Sequence, residues 1–146
     1  MRVSLISALA GFVLALVPVT GETPVLAGDT PAPKDAYLYI GWPNDGEIVR
    51  KRRFRVWFGL RNFGIAPSGI KKKNTGHHHL IVDAPLPPLD EEIPADKNHL
   101  HFGAGQSEAF VELSPGKHTL QLIMGDHDHV PHNPPIISKK ITITVR

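Results

Sequence analysis

From residue 54 to residue 60 the chain alternates: Phe54, Val56, Phe58 and Leu60 are apolar, with Arg53, Arg55 and Trp57 interleaved. Period two belongs to a half-buried strand, because successive side chains of an extended backbone leave opposite faces. The pattern returns at the end, where Thr142 and Thr144 separate Ile141, Ile143 and Val145. Elsewhere, short strand-like runs are cut by turn signals such as Pro43-Asn44-Asp45-Gly46 and Ser114-Pro115-Gly116. Strands are expected at 36–40, 54–60, 77–83, 99–102, 109–113, 118–124 and 141–145, and no segment reads convincingly as a helix. About seven short strands with regular turns imply an all-β fold, an immunoglobulin-like β-sandwich.

Ahead of this domain, Arg2 is the only basic residue before an apolar run from Val3 to Val17. That run has the length of a signal-peptide core and is too short to cross a bilayer comfortably. Val25-Leu26-Ala27 fits a signal-peptidase site, with a cut after Gly21 as the alternative. The expected organisation is a signal peptide at 1–27, a flexible Pro-rich lead-in at 28–35 and one sandwich domain at 36–146. The product is expected in the periplasm or outside the cell, with no membrane span after cleavage. The absence of cysteine excludes disulfides, thiolate metal sites and thiol catalysis. A formal net charge of +2 is mild, and the basic runs Arg50-Lys51-Arg52-Arg53 and Lys71-Lys72-Lys73 read as solvated flanks, not a nucleic-acid surface.

All nine histidines fall between His77 and His132. They form His77-His78-His79, His99-Leu100-His101, His118, and the stretch His127-Asp128-His129-Val130-Pro131-His132. Residues two apart on a strand share a face, roughly 6.5–7 Å apart along it, so His77 with His79, and His99 with His101, can converge on one ion. Neutral imidazole suits zinc, copper(II) and nickel. The candidate ligands are His77, His79, His99, His101, His118, His129 and His132, with His78, Glu108 and Asp126 as secondary candidates. Any one of these histidines read alone is more simply structural. The argument for metal rests on four histidine segments in one small domain.

The order His99-x-His101, Glu108, His118 resembles the ligand order of cupins, but the spacing departs: Glu108 is the seventh residue after His101. Copper–zinc superoxide dismutases also carry His-x-His on a sandwich strand, together with a disulfide that this chain cannot form. A fuller resemblance runs through Gly76-His77-His78-His79-Leu80-Ile81-Val82-Asp83, Ile93-Pro94-Ala95-Asp96 and Asn98-His99-Leu100-His101-Phe102-Gly103. It continues in Gly105-Gln106-Ser107-Glu108, in the segment from Leu113 to Leu122, and from Gly125-Asp126 to Pro135. These motifs resemble the bacterial exported family called domain of unknown function 4399. The likeness spans about Val49 to Val145, with Ser107 where Thr is usual and an unexpected His127. The resemblance implies an envelope β domain and supplies no established activity.

The reading that follows is a periplasmic binding protein for a divalent transition metal, copper(II) or zinc, with no organic cofactor. The alternatives are an envelope interaction or adhesion module with structural histidines, whose partner is another envelope protein, and a His-ligated metalloenzyme. An enzyme is the weaker alternative, because no nucleophile, Gly-rich phosphate loop or paired-carboxylate signature accompanies the histidines.

Overall fold

The computed structural model describes residues 27–146, so the expected signal peptide lies almost wholly outside the described residues. Nine strands follow in order: β1 (Tyr37–Trp42), β2 (Ile48–Val49), β3 (Arg53–Arg61), β4 (Gly64–Ile65), β5 (Thr75–Val82), β6 (His99–Phe102), β7 (Glu108–Glu112), β8 (Gly116–Gly125) and β9 (Ile141–Val145). They make a three-stranded sheet, β1-β3-β7, and a six-stranded sheet, β2-β9-β8-β5-β4, with β6 also paired to β5. The expected all-β sandwich is present. Its two additional strands, β2 and β4, are two residues each and too short to carry a period. No described helix is long and apolar enough to cross a membrane.

The main core lies between the sheets. Leu38, Phe54, Val56, Phe58 and Val111 of the small sheet meet Leu80, Val82, Leu120, Leu122, Met124 and Ile143 of the large one. The other face of the large sheet is covered as well. There Ile81 and Ile123 pack against Ile93 of the 84–98 loop, with Leu89 and Ile137 beside them. From Gly76 onward β5 is therefore buried on both faces, and three consecutive histidines sit inside the protein.

The segment expected to be a loose lead-in is instead held against the domain. Gly28 N donates to Leu89 O and Pro131 O, and Ala32 N donates to Asn133 O. Backbone groups near a covered edge need partners, and these bonds supply them. The Thr30 hydroxyl donates to the Asp126 carboxylate.

Candidate metal centre

Strand parity divides the His77–His79 run. His78 points between the sheets, where its ring lies 5.1 Å from the Phe58 ring and its Nδ1–H donates to Gln106 O at 2.9 Å. His77 and His79 point to the opposite face, both fully buried. The antiparallel register sets His101 of β6 directly opposite His79. His129 reaches the same place from the loop after β8, whose last residue, Gly125, pairs with His77.

The four rings form one cluster. Their centroid separations are 4.8 Å for His77–His79, 5.0 Å for His77–His101, 5.0 Å for His77–His129, 5.0 Å for His79–His101, 6.0 Å for His79–His129 and 4.8 Å for His101–His129. One ring nitrogen each from His77, His101 and His129 lies within 4.8 Å of the others. His79 lies outside that set of three; its Nε2 shares a hydrogen bond of 3.0 Å with His77 Nε2, one of the two nitrogens donating. His101 is exposed and His129 partly exposed, so the cluster opens to solvent on that side.

Two glycines make room for the rings. A Cβ on Gly103 would collide with the His101 ring, and one on Gly125 would stand 2.9 Å from His79 Nε2. The loop that carries His129 is tied down at Asp126. Its Oδ1 accepts from Asp128 N and Val130 N, each at 2.9 Å, and His129 N donates back to Asp126 O at 3.1 Å. These bonds hold His129 at φ +66°, a left-handed conformation that a non-glycine residue seldom adopts without such support.

Electrostatics favour the neutral form of His77, His79 and His101. Burial, followed by repulsion from His129 and His101, pushes His77 down to about 4. Burial, then His77, His101 and His129, pushes His79 to about 2. Burial and then His129 hold His101 below the usual histidine range. Each neutral imidazole offers one bare nitrogen lone pair, the form in which histidine binds metals. Nδ1 of His77 and Nδ1 of His79 have no hydrogen-bond partner among the described residues. An imidazole donor set with buried, unpartnered nitrogens fits a transition ion far better than calcium or magnesium, which take oxygen ligands.

The remaining sequence candidates stand elsewhere. His99 shares a face with His101, but its Nδ1 turns to Asp96 Oδ1 at 2.9 Å, where an Asx turn already gathers the backbone N–H groups of Asn98 and His99. His118 is engaged by Asp83 Oδ2 at 2.6 Å and Ser114 O at 2.8 Å. His132 is buried edge-on against Phe63, with Nε2 directed to Thr75 O at 3.2 Å. Glu108 pairs with Arg55 at 3.4 Å, on the small sheet. His99, His118, His132 and Glu108 thus stand apart from the four-ring cluster, His132 with a buried and unpartnered Nδ1, and Asp126 anchors the loop that carries His129. Glu92, which sequence reasoning missed, lies 3.9 Å from His129 Nδ1 at the mouth of the cluster. Its only signal was an acidic run in the Pro-rich loop.

Fold and site define an all-β sandwich with a solvent-edged histidine cluster on the large sheet. The chain belongs to the family described as domain of unknown function (DUF4399), whose profile matches residues 56–146. Neither the curated proteins nor the solved structures gave a match.

Proposed function

We propose that the protein is an exported envelope binder of a divalent transition metal, zinc or copper(II), held by His77, His79, His101 and His129. The carrying observation is the approach of four imidazoles from β5, β6 and the 126–132 loop to centroid separations of 4.8–6.0 Å. Two ligand nitrogens on one ion, each about 2.0–2.1 Å from it, stand roughly 3–3.5 Å apart. Nε2 of His77 and Nε2 of His79 stand 3.0 Å apart, joined by a hydrogen bond that an ion would replace at similar spacing. The ring nitrogens of His77, His101 and His129 lie within 4.8 Å of one another, and His79 closes the shell when its ring turns toward them; a closed shell holds an ion, whereas catalytic sites keep a position free for water or substrate. The test is elemental analysis and calorimetric titration of untagged protein, with one equivalent of metal expected. Absence of any metal at micromolar concentrations would remove this function.

A second reading, an envelope interaction module, draws on the outer face of the small sheet. Tyr37, Trp57 and Phe110 are 57%, 50% and 54% exposed there, and the Arg53 guanidinium lies 4.2 Å over the Phe110 ring. Arginines among exposed aromatics suit an acidic partner. Co-sedimentation with isolated envelopes tests this; binding unchanged by Trp57→Ala with Phe110→Ala counts against it.

A further inference from the structure

The outer face of the small sheet carries a diagonal of aromatic rings, and we infer that it docks a polysaccharide bearing carboxylate groups. This inference rests on the second reading above, that this face receives a partner, and adds the partner's chemistry; it is independent of metal. Tyr39, Trp57 and Phe110 stand on three neighbouring strands. Tyr39 pairs with Gly59 and Phe110 with Arg55, two residues to either side of Trp57. With strands about 4.8 Å apart and about 3.4 Å per residue, each diagonal step is about 8 Å and the three positions span about 16 Å. All three side chains leave the sheet on the face opposite the main core.

Glycines keep this face low. A Cβ on Gly59 would collide with the Tyr39 ring, which lies across that backbone, and Gly41 places no side chain beside Trp57. The main cavities lie elsewhere, along the 70–75 and 126–130 segments and beside Trp42 and Phe54. Protein partners are held best by side chains that fill pockets, which this face lacks. A flat exposed ring suits another flat ring. The C–H groups on one face of a sugar are apolar and slightly positive, and the face of an aromatic ring is the negative side of its quadrupole. Trp57 is 50% exposed and, unlike its two neighbours on the diagonal, has no guanidinium over its ring among the described residues.

The free charges lie at the ends. Arg53 stands 4.2 Å over the Phe110 ring and Arg61 stands 5.5 Å over the Tyr39 ring. Arg55 is paired with Glu108 at 3.4 Å and Arg52 with Glu112 at 3.9 Å, whereas Arg53 and Arg61 have no carboxylate partner among the described residues. A guanidinium stacked on an aromatic ring keeps its N–H fork free for a carboxylate. The two forks are too far apart for one small anion. An extended chain with repeated carboxylates meets both, with a sugar ring on Trp57 between them.

The experiment runs untagged full-length protein, as it accumulates in the producing cell, through native gels containing polygalacturonate, polyglutamate or no polymer. Polygalacturonate should slow the protein more than an equal charge of polyglutamate does. Trp57→Ala should weaken polygalacturonate binding at least about fivefold, the scale of one lost stacking contact. Arg53→Gln with Arg61→Gln should weaken it too and flatten its salt dependence. That pair also serves if Trp57→Ala fails a circular-dichroism check of its fold. Lys71→Gln with Lys72→Gln removes equal charge away from this face and should change binding little. Equal slowing by the two polymers, nil included, or polygalacturonate binding unchanged in the Trp57 and arginine variants, overturns the polysaccharide inference. Envelope binding that still depends on Trp57 and Phe110 then leaves the docking reading standing, with an acidic protein as its partner. Failure to bind either polymer or envelopes removes both.

Discussion

Where β5 ends, His118 gives one ring nitrogen to Asp83 at 2.6 Å and the other to the Ser114 carbonyl at 2.8 Å. Near the start of the same strand, His77, His79, His101 and His129 have chiefly one another, and Nδ1 of His77 and of His79 is unpartnered. The residue type is the same and the outcome opposite. At His118 burial works against the cation, but the Asp83 carboxylate and the Ser114 carbonyl outweigh it and raise the group above the usual histidine range. In the cluster, burial and repulsion from neighbouring histidines act together and hold His77 and His79 neutral. A carboxylate consumes a histidine's nitrogens and turns it into a structural ion pair. A neighbouring histidine leaves lone pairs available for a ligand.

The largest effect expected from this difference is acid lability of the metal-free protein. His77 and His78 are lowered to about 4 and His79 to about 2, in each case first by burial. Unfolding returns each to about 6.5, so below that pH the unfolded chain binds more protons and stability falls with pH. Each group contributes up to about 1.4 kcal/mol per pH unit in that window, which makes several kcal/mol for the three together. Denaturant midpoints measured in chelator at pH 7 and pH 5 should fall steeply; equal midpoints would mean the three rings are not buried as neutral groups.

Next in size is the metal affinity itself. His101→Ala with His129→Ala should lower zinc affinity by about a hundredfold or more, since loss of supporting residues alone costs 10–100-fold. The pair His99→Ala with His118→Ala should change it less than about twofold, because carboxylates already occupy both rings. Competition against a chromogenic chelator reads both. Equal losses would erase the distinction between the two groups of histidines.

The strands were legible because each carries its own period: Phe54, Val56 and Phe58 are buried and Arg53, Arg55 and Trp57 exposed, as alternation requires. β2 and β4 were not, since two-residue pairings depend on what lies beside them. Spacing joined His77 to His79 and set His78 apart as secondary, and β5 follows that parity. It gave no means of separating His99 from His101, which share a face. The separation is made by Asp96, whose Asx turn captures the first ring. His118 pairs with a carboxylate 35 residues away, a contact no local pattern encodes. His129 was a candidate by composition alone, because its approach is set by a loop whose shape comes from Asp126 and Thr30. The 28–35 segment looked loose for the same reason: its partners, Leu89, Asp126, Pro131 and Asn133, come much later in the chain.

A smaller effect sharpens the comparison inside the cluster. Gly125→Ala places a methyl 2.9 Å from His79 Nε2 and 3.3 Å from the His129 Cα, so the imidazole must shift. Zinc affinity should fall about tenfold, the scale of a disturbed support around a metal ligand. Thermal stability should fall too, by about 1–3 kcal/mol, the usual cost of overpacking, since the ring that must shift is fully buried. A variant that binds zinc normally would show that His79 does not need its present seat.

The smallest effect belongs to the carboxylate-paired end. Asp83→Asn keeps an oxygen for the Thr119 N–H, which the native Oδ1 accepts at 2.7 Å, and removes the charge that faces His118. Because the folded His118 is raised above its unfolded value, the pair contributes fully below about pH 6.5 and fades as pH rises through the raised folded value. Asp83 is partly exposed, which screens the interaction, so the loss at pH 6 should not exceed about 1 kcal/mol. At pH 9 the variant and the native protein should unfold at nearly the same denaturant concentration. Zinc affinity should be the same in both, since Asp83 and His118 lie at the other end of β5 from the cluster. The sign of this pH dependence is opposite to that expected for the metal-free cluster, so the two regions are told apart by the same measurement. A penalty that grew with pH, or a loss of zinc binding in Asp83→Asn, would mean that the two ends of the strand are not independent.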